Sequence, residues 1–598
     1  MGLPLRSEID SKYKWKIEDL YATDELWEED FGKVSEQVAK ESVYKGRLAE
    51  SEDVLYEALE ECDKLEEAVE KLYVYANQKY YEDTANAKYQ GFAGKVQGLM
   101  TQFYAMYSYQ EPEILAMNEE TLKERITSQG KIKKYSQYLK NILRQKPHIL
   151  SEELENVMAN ASDMAQGAKD IFSSFNNADL RFGTIKGSDG EEIEVSHGKY
   201  AMLMESKDRR VRKDAFKAIY SAYGAYRNTL ASMYQANVKQ ALFFARMRGF
   251  DNTLEASLNS SNIPVKVYDN LIDTVNKNLD KMHRYVSLRK KMLGVEELHL
   301  YDVYAPLVKD YDIKVPYEDA KRRVVDGLKP LGDTYLKILK EGYENGWIDV
   351  CENQGKRSGA FSWGAYGTHP YVFLNYQENL DNVFTLAHEM GHAIHTYLSN
   401  ANQPHVYAGY RIFVAEVAST CNEALLIQDM IKKSSNKQER LYLLNHFLEQ
   451  FKGTMFRQTM FAEFEKITHK MAKEGTTLTA DVLCKVYGEL NEKYFGPEMI
   501  VDEEIKLEWS RIPHFYTPFY VYQYATGFAA AVTISGKILK EGESAVEGYF
   551  EFLKSGSSDY PIEVLKKAGV DMEAPEAVSG ALEVFGNLLD EFEKLVEE

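Results

Sequence analysis

Apolar residues recur at the spacing of an α-helix through nearly all of the first 175 residues. Segments such as 51–80 and 83–110 place Leu, Val, Tyr and Ala at helical intervals, with Glu and Lys between them. The chain of 598 residues contains 14 prolines, so long helices meet few obligatory breaks. This pattern predicts a mainly α protein.

Two segments interrupt the helical pattern. In residues 181–200 two β-prone runs flank KGSDG, whose Asp-Gly pair favours a hairpin turn. We predict a small hairpin here, closing an N-terminal helical domain over 1–200, with a second domain over 201–598. A glycine-rich stretch then leads to YVFLNY at 371–376, which predicts a short strand and a minor β element.

The composition limits the partners and the compartment. No apolar run is long enough for a membrane helix, and the N-terminus lacks the apolar segment of a secretory signal. With 72 basic and 93 acidic residues, the formal net charge is −21, which argues against nucleic acid or an anionic membrane as partner. Four scattered cysteines favour the reducing cytoplasm: Cys62, Cys351, Cys421 and Cys484. The sequence specifies no oligomeric state.

The segment 381–398, DNVFTLAHEMGHAIHTYL, contains the motif HExxH. On a helix, His388 and His392 lie one turn apart on one face, so both imidazoles can reach one metal ion. Glu389 is rotated by about 100° from His388 and lies beside a water rather than on the metal, as a general base should. Asp381 is the predicted N-cap of this helix.

The alternative is an amphipathic helix whose histidines merely pack in the core. With 12 histidines, such a motif should arise by chance roughly 0.02 times in a chain of this size. His395 shares the face, but it lies two turns from His388, too far to bind the same ion. For His395 we therefore expect packing or a supporting role.

A catalytic zinc site needs three protein ligands and an open position. The extended metzincin motif would require Gly at 395 and His at 398, where this chain has His395 and Leu398. The third ligand is therefore expected from the downstream helix at 411–430, which offers Glu416 and Glu423. The motif and its spacing leave both glutamates open.

These motifs, taken together, resemble the M3 family of zinc peptidases, and within it the bacterial oligoendopeptidase F group. The likeness joins HEMGHAIH and FVAEVAST with other segments in the same order along nearly the whole chain. These segments are KWKIEDLY at 14–21, LYDVYAPL at 300–307, GKRSGAFSWGAYGTHPYVFLNY at 355–376, HFYTPFYVYQYATG at 514–527, and FLKSGSSDYPIEVLKKAGVDM near the end.

The resemblance implies two helical halves that flank a deep channel, one zinc ion per chain, and cleavage of internal bonds in short unstructured peptides. It implies Glu416 as the third ligand and Glu423 as a second glutamate close to the site. It also implies that His514 and two of the tyrosines Tyr520, Tyr522 and Tyr524 bind substrate and steady the reaction intermediate. We favour Tyr520 and Tyr524, because they keep the family's four-residue separation.

Glu389 is expected to accept the proton of the attacking water and deliver it to the leaving amine. A donor, Tyr524 or His514, would stabilise the oxygen that becomes negative. The strand at 371–376 is predicted to pair with an extended substrate, unless it is an ordinary structural strand.

Two rival functions are a helical zinc exopeptidase, such as a carboxypeptidase, and an inactive peptide-binding protein, which would not need Glu389.

Overall fold

The computed structural model describes residues 2–308 and 313–598, which are predominantly helical, as predicted. As far as residue 308, the helices are α1 Asp24–Val38, α2 Glu52–Glu82, α3 Ala87–Tyr107, α4 Gln110–Ala116, α5 Glu119–Thr127, α6 Ser136–Gln145, α7 Glu152–Ala165, α8 Gly167–Ser174, α9 His197–Met204, α10 Arg209–Ala225, α11 Arg227–Met247, α12 Thr253–Asn259, α13 Val265–Asn276 and α14 Leu279–Leu293.

After residue 313 the chain continues as helices joined by short loops. They are α15 Tyr317–Gly327, α16 Gly332–Glu344, α17 Leu380–Asn402, α18 His405–Ala408, α19 Ile412–Lys433, α20 Lys437–Gln450, α21 Arg457–Lys473, α22 Ala480–Phe495, α23 Tyr522–Glu541, α24 Glu543–Leu553, α25 Pro561–Lys567 and α26 Glu576–Glu597. Within the described ranges, no helix combines the length and the apolar character that crossing a bilayer would take.

The strands are short and form small sheets. They are β1 Thr184–Lys186, β2 Glu192–Glu194, β3 Leu298–His299, β4 Ile348–Asp349, β5 Phe361–Trp363, β6 Tyr371–Phe373 and β7 Met499–Ile500. Strands β1 and β2 pair antiparallel, with Ile185 opposite Ile193, which confirms the predicted hairpin. Its turn contains Gly190 at a φ of 86°, a left-handed conformation that glycine adopts without a steric penalty.

The strand predicted at 371–376 exists as β6, but it is shorter and lies in the middle of its sheet. The strand order is β4-β6-β5, with β4 parallel and β5 antiparallel to β6. Both hydrogen-bonding edges of β6 are therefore occupied by the chain itself. The expectation that this strand pairs with a substrate is wrong, because an added strand requires a free edge.

The chain folds into two compact units, each built from three segments. The first unit comprises Met1–Pro147, Asp312–Asp429 and Ile534–Gly569. The second unit comprises His148–Tyr311, Met430–Thr533 and Val570–Glu598. The predicted division into 1–200 and 201–598 is a division into consecutive stretches of sequence, and it stays a prediction.

A core of aromatic residues in the first unit joins its N-terminal helices to the β4-β6-β5 sheet. The Trp27 indole on α1 stacks on Phe92 of α3, with ring centroids 4.0 Å apart. Trp15 packs on Phe373 of β6 at 5.4 Å and on Tyr371 at 6.0 Å. All five side chains are buried, so the sheet that precedes α17 is anchored in the main core of this unit.

Candidate metal centre

Helix α17 carries the HExxH motif and begins one residue before the predicted N-cap. Asn379 caps it, because its side chain accepts a hydrogen bond of 2.9 Å from the backbone N–H of Asn382. The prediction of Asp381 as N-cap is wrong. Leu380 is buried and already helical, which leaves Asp381 in the first turn of the helix.

His388 and His392 lie on one face of α17 in the first unit. Their ring centroids are 4.9 Å apart, and both side chains are partly buried. This is the arrangement that the four-residue spacing predicts.

Helix α19 brings Glu416 to the two imidazoles. Glu416 Oε2 lies 3.3 Å from Nε2 of His388 and 3.4 Å from Nε2 of His392. One ligand atom from each of the three residues lies within 4.8 Å of the others. Ser419 donates a hydrogen bond of 3.1 Å to the same Oε2 and helps to orient the carboxylate.

These separations fit a tetrahedral zinc ion. Ligand atoms that each lie about 2.0–2.1 Å from a tetrahedral metal are about 3.3 Å from one another. Two imidazoles and a carboxylate are also the donor set of a catalytic zinc site with one open position. His388, His392 and Glu416 therefore form a candidate site for one zinc ion.

The backbones of α17 and α19 approach closely at Gly391. A Cβ atom at Gly391 would lie 2.6 Å from Cα of Ser419 and 2.8 Å from the Ala418 carbonyl oxygen. A turn further along α19, the buried Asn422 amide donates to the Ala387 carbonyl oxygen at 3.0 Å. Asn422 was not predicted from the sequence, although a polar residue in the apolar run of α19 is a signal for such a contact.

Glu423 contacts the opposite side of the His388 ring. Its Oε1 accepts a short hydrogen bond from Nδ1 of His388. Glu423 thus lies close to the two histidines, as the resemblance implies, and the structure adds its contact with His388. With the Nδ1 proton directed at Glu423, a metal ion would take the place of the second ring proton at Nε2, which faces Glu416.

The charges of the site reinforce one another. Burial disfavours a charged His388, but the hydrogen bonds with Glu416 and Glu423 outweigh it and raise the pKa of His388 to about 10. Hydrogen bonds from His388 and His392 hold the pKa of Glu416 below its usual range, against the effect of its own burial. The site is therefore built for a cation, and a metal ion would bind in competition with a proton.

Glu389 lies next to the three candidate ligand residues but is not one of the group that could hold a metal ion. The residue is 7% exposed, and its Oε2 has no hydrogen-bond partner among the described residues. Burial raises the pKa of Glu389, the nearby Glu416 and Glu423 raise it further, and the two histidines oppose them. A buried carboxylate oxygen without a partner, beside a metal-ligand set, is suited to accept a proton.

His395 packs in the core of the first unit, one of the two roles expected from the sequence. Its ring stacks on Tyr410 at 3.8 Å and packs against Phe552 at 5.1 Å. Burial lowers its pKa to about 3, so the ring is neutral at physiological pH.

The second unit brings His514, Tyr520 and Tyr524 together. The His514 ring is 5.9 Å from that of Tyr520 and 6.0 Å from that of Tyr524. The two tyrosine rings are 5.4 Å apart, and their hydroxyl groups are 3.5 Å apart. Their roles toward substrate stay predictions.

Comparison with known proteins gives the same family over almost the whole chain. The sequence model of peptidase family M3 matches residues 202–584, and that of oligopeptidase F matches residues 113–182. Oligopeptidase PepF of Bacillus subtilis is 50% identical over 594 residues, covering 99% of this chain and 89% of the relative.

Solved structures share the fold. A crystal structure of oligoendopeptidase-F from Enterococcus faecium has a TM-score of 0.74 at 38% identity, covering 96% of this chain and 99% of that chain. A crystal structure of a Chlamydophila abortus protein has a TM-score of 0.94 at 35% identity, covering 99% and 100%.

Proposed function

This chain belongs to peptidase family M3, and from that premise we propose that it is a zinc metalloendopeptidase that hydrolyses internal bonds of short, unstructured peptides. Membership of the family makes it a metallo-oligopeptidase. The identity of the metal, the residues that bind it and the catalytic residues are our proposal.

The observation that carries the proposal is the buried Glu389 carboxylate beside the converging ligand atoms of His388, His392 and Glu416. These three residues would hold the zinc ion, with Glu423 fixing the ring of His388. Bound zinc supplies a Lewis acid that polarises the scissile carbonyl and lowers the pKa of the attacking water.

Glu389 would move the proton. Its Oε2 accepts the proton of the attacking water and delivers it to the leaving amine as the peptide bond breaks. The raised pKa of Glu389 favours this exchange, since a carboxyl group that titrates nearer neutral pH takes up and releases a proton readily.

His514, Tyr520 and Tyr524 would contact the substrate. A tyrosine hydroxyl or the imidazole can donate a hydrogen bond to the oxygen that becomes negative in the transition state. The three rings lie close together, and the hydroxyl groups of Tyr520 and Tyr524 are neighbours, which supports a shared role in binding the substrate.

Substrate alignment is assigned to β5 instead of β6. In the described residues β5 pairs with β6 alone, and it packs along the metal helix α17. An extended peptide can add to such an edge through backbone hydrogen bonds, which makes few demands on its sequence.

We further propose a channel that admits peptides and excludes folded proteins. Oligopeptides are the expected partners of the enzyme.

We also propose that the enzyme works in the cytoplasm. All four cysteines are free thiols: Cys62, Cys351, Cys421 and Cys484. A reducing compartment preserves free thiols.

Digestion of a peptide blocked at both ends tests the proposal. We expect internal cleavage products by mass spectrometry, loss of cleavage with a chelator, and recovery when zinc is restored. Products that require a free terminus would indicate an exopeptidase. Stoichiometric binding of the peptide without any cleavage by the zinc-loaded protein would indicate a peptide-binding protein.

A further inference from the structure

The segment before α23 contains a backbone conformation that a residue with a side chain seldom adopts. Phe519 has a φ of 58°, and in the described residues it shares a positive φ with one other non-glycine residue. The left-handed region brings the Cβ of an L-residue close to its own backbone, so it persists only where neighbouring groups hold it. Phe519 directly precedes Tyr520.

Glu465 on α21 holds this turn from inside the second unit. Its Oε1 accepts a hydrogen bond of 2.8 Å from the backbone N–H of Phe519. Glu465 is 0% exposed, and its Oε2 has no hydrogen-bond partner among the described residues. A buried acid with a single backbone partner is costly to keep, which points to a role beyond filling space.

Two other side chains hold the same stretch of backbone. Asn237 of α11 donates to the Phe515 carbonyl oxygen at 3.1 Å, and Ser257 of α12 donates to the Pro518 carbonyl oxygen at 3.1 Å. The Phe519 ring is buried against His469 of α21, with ring centroids 4.6 Å apart. Polar side chains from three helices thus fix the segment that carries His514 and leads into Tyr520 and Tyr524.

The turn sets the direction of Tyr520. With Phe519 left-handed, its ring points into the unit while the next ring lies beside His514 and Tyr524. Helix α23 begins two residues later and carries Tyr524. A change at the Phe519 amide is therefore transmitted to Tyr520 through one peptide bond.

We propose that Glu465 is a positioning residue for peptide hydrolysis, which fixes the Phe519 turn and thereby aims Tyr520, with Tyr524 and His514, at the substrate. The inference rests on the proposed contact of these tyrosines with the substrate. Glu465 itself does not touch the reacting atoms.

The test compares variants that keep the volume of the side chain. Glu465→Met removes the acceptor of the Phe519 amide, and we expect kcat to fall about 10- to 100-fold with KM within about twofold, because misplacement by about 1 Å is costly in the transition state. Burial raises the pKa of Glu465 to about 8, so the acid is mostly neutral at pH 7. Glu465→Gln keeps a neutral acceptor and should recover kcat to within about threefold of the wild type.

Tyr268→Phe is the matched control. The Tyr268 hydroxyl donates a hydrogen bond of 2.7 Å to the carbonyl oxygen of Ala462 on α21, the helix that carries Glu465. The Tyr268 ring packs on Phe519, but it makes no hydrogen bond to the backbone of the turn. We expect this variant to lose thermal stability and to keep its kcat. If Tyr268→Phe loses kcat as Glu465→Met does, the effect is general destabilisation, and the inference is wrong.

Combination with the tyrosine variants separates the two proposals. Tyr524→Phe or Tyr520→Phe should lower kcat about 10²- to 10³-fold for a true donor, with little change in KM. In the Tyr520→Phe/Tyr524→Phe background, Glu465→Met should add less than about a twofold loss. Normal turnover in both single tyrosine variants would overturn the proposed substrate contact. Two results would overturn the positioning role alone. One is a low kcat in the tyrosine variants beside a wild-type kcat in Glu465→Met. The other is a loss of kcat from Glu465→Met that is as large in the double tyrosine background as in the wild type.

Discussion

At the scale of the residue, the arrangement of Glu389 predicts a separation of catalysis from metal binding. Glu389→Gln keeps the volume and removes the basic oxygen, and the ligand atoms are untouched. We expect zinc content near that of the wild type and a loss of cleavage of roughly 10²- to 10⁴-fold. The measurement is metal analysis together with the initial rate on one peptide. More than about a tenth of the wild-type rate would exclude Glu389 as the base.

The two downstream glutamates should respond differently to substitution. Glu416 faces Nε2 of both histidines, whereas Glu423 contacts Nδ1 of His388. Glu416→Ala should therefore lose zinc during purification. Glu423→Ala should yield a metallated protein whose metal affinity or activity falls roughly 10- to 100-fold.

Metal analysis of the two variants decides between the assignments, with Glu423→Gln as a control that keeps an acceptor for His388. Zinc-replete Glu416→Ala protein beside zinc-free Glu423→Ala protein would reverse the roles.

At the scale of the element, the contact of α17 with α19 controls the geometry of the metal site. Gly391→Ala should gain about 1 kcal/mol in helix propensity. Its Cβ, however, would lie 2.6 Å from the backbone of Ser419, so α19 must move away. Overpacking of this kind costs about 1–3 kcal/mol. We expect a net loss of stability and weaker zinc binding, because the shift draws Glu416 away from the histidines.

Gly536→Ala in α23 is the matched control, since a Cβ at this helical glycine meets nothing within 4 Å. It should leave zinc affinity unchanged and the stability equal or slightly higher. Thermal unfolding and a zinc titration measure both quantities. Wild-type zinc affinity in Gly391→Ala would mean that the approach of the helices does not set the ligand geometry.

At the scale of the whole molecule, the proposed channel predicts a limit on substrate size. Unstructured peptides of modest length should be cleaved, while a stable folded protein should survive long incubation. The control is the same protein after reduction and unfolding, which shows whether its sequence contains bonds that the enzyme can cleave. The measurement is gel electrophoresis and mass spectrometry over time. Efficient digestion of the native folded form would contradict the channel.

Periodicity and motif spacing determined much of this protein in advance. Local geometry, which follows directly from the order of the residues, determines three features. They are the mainly helical class, the hairpin near residue 190 and the shared face of His388 and His392. The four-residue spacing alone is sufficient to bring two imidazoles together on one helix.

Contacts between distant segments decided the rest. Glu416 and Glu423 share one face of α19, about 10.5 Å apart along its axis, so spacing could not distinguish them. The approach of Gly391 to Ser419 sets the register that gives each glutamate a different nitrogen of His388. Pairing on both edges likewise made β6 a central strand. The acceptor from Glu465 that holds the Phe519 turn comes from a helix far away in the sequence, and only the tertiary structure could reveal it.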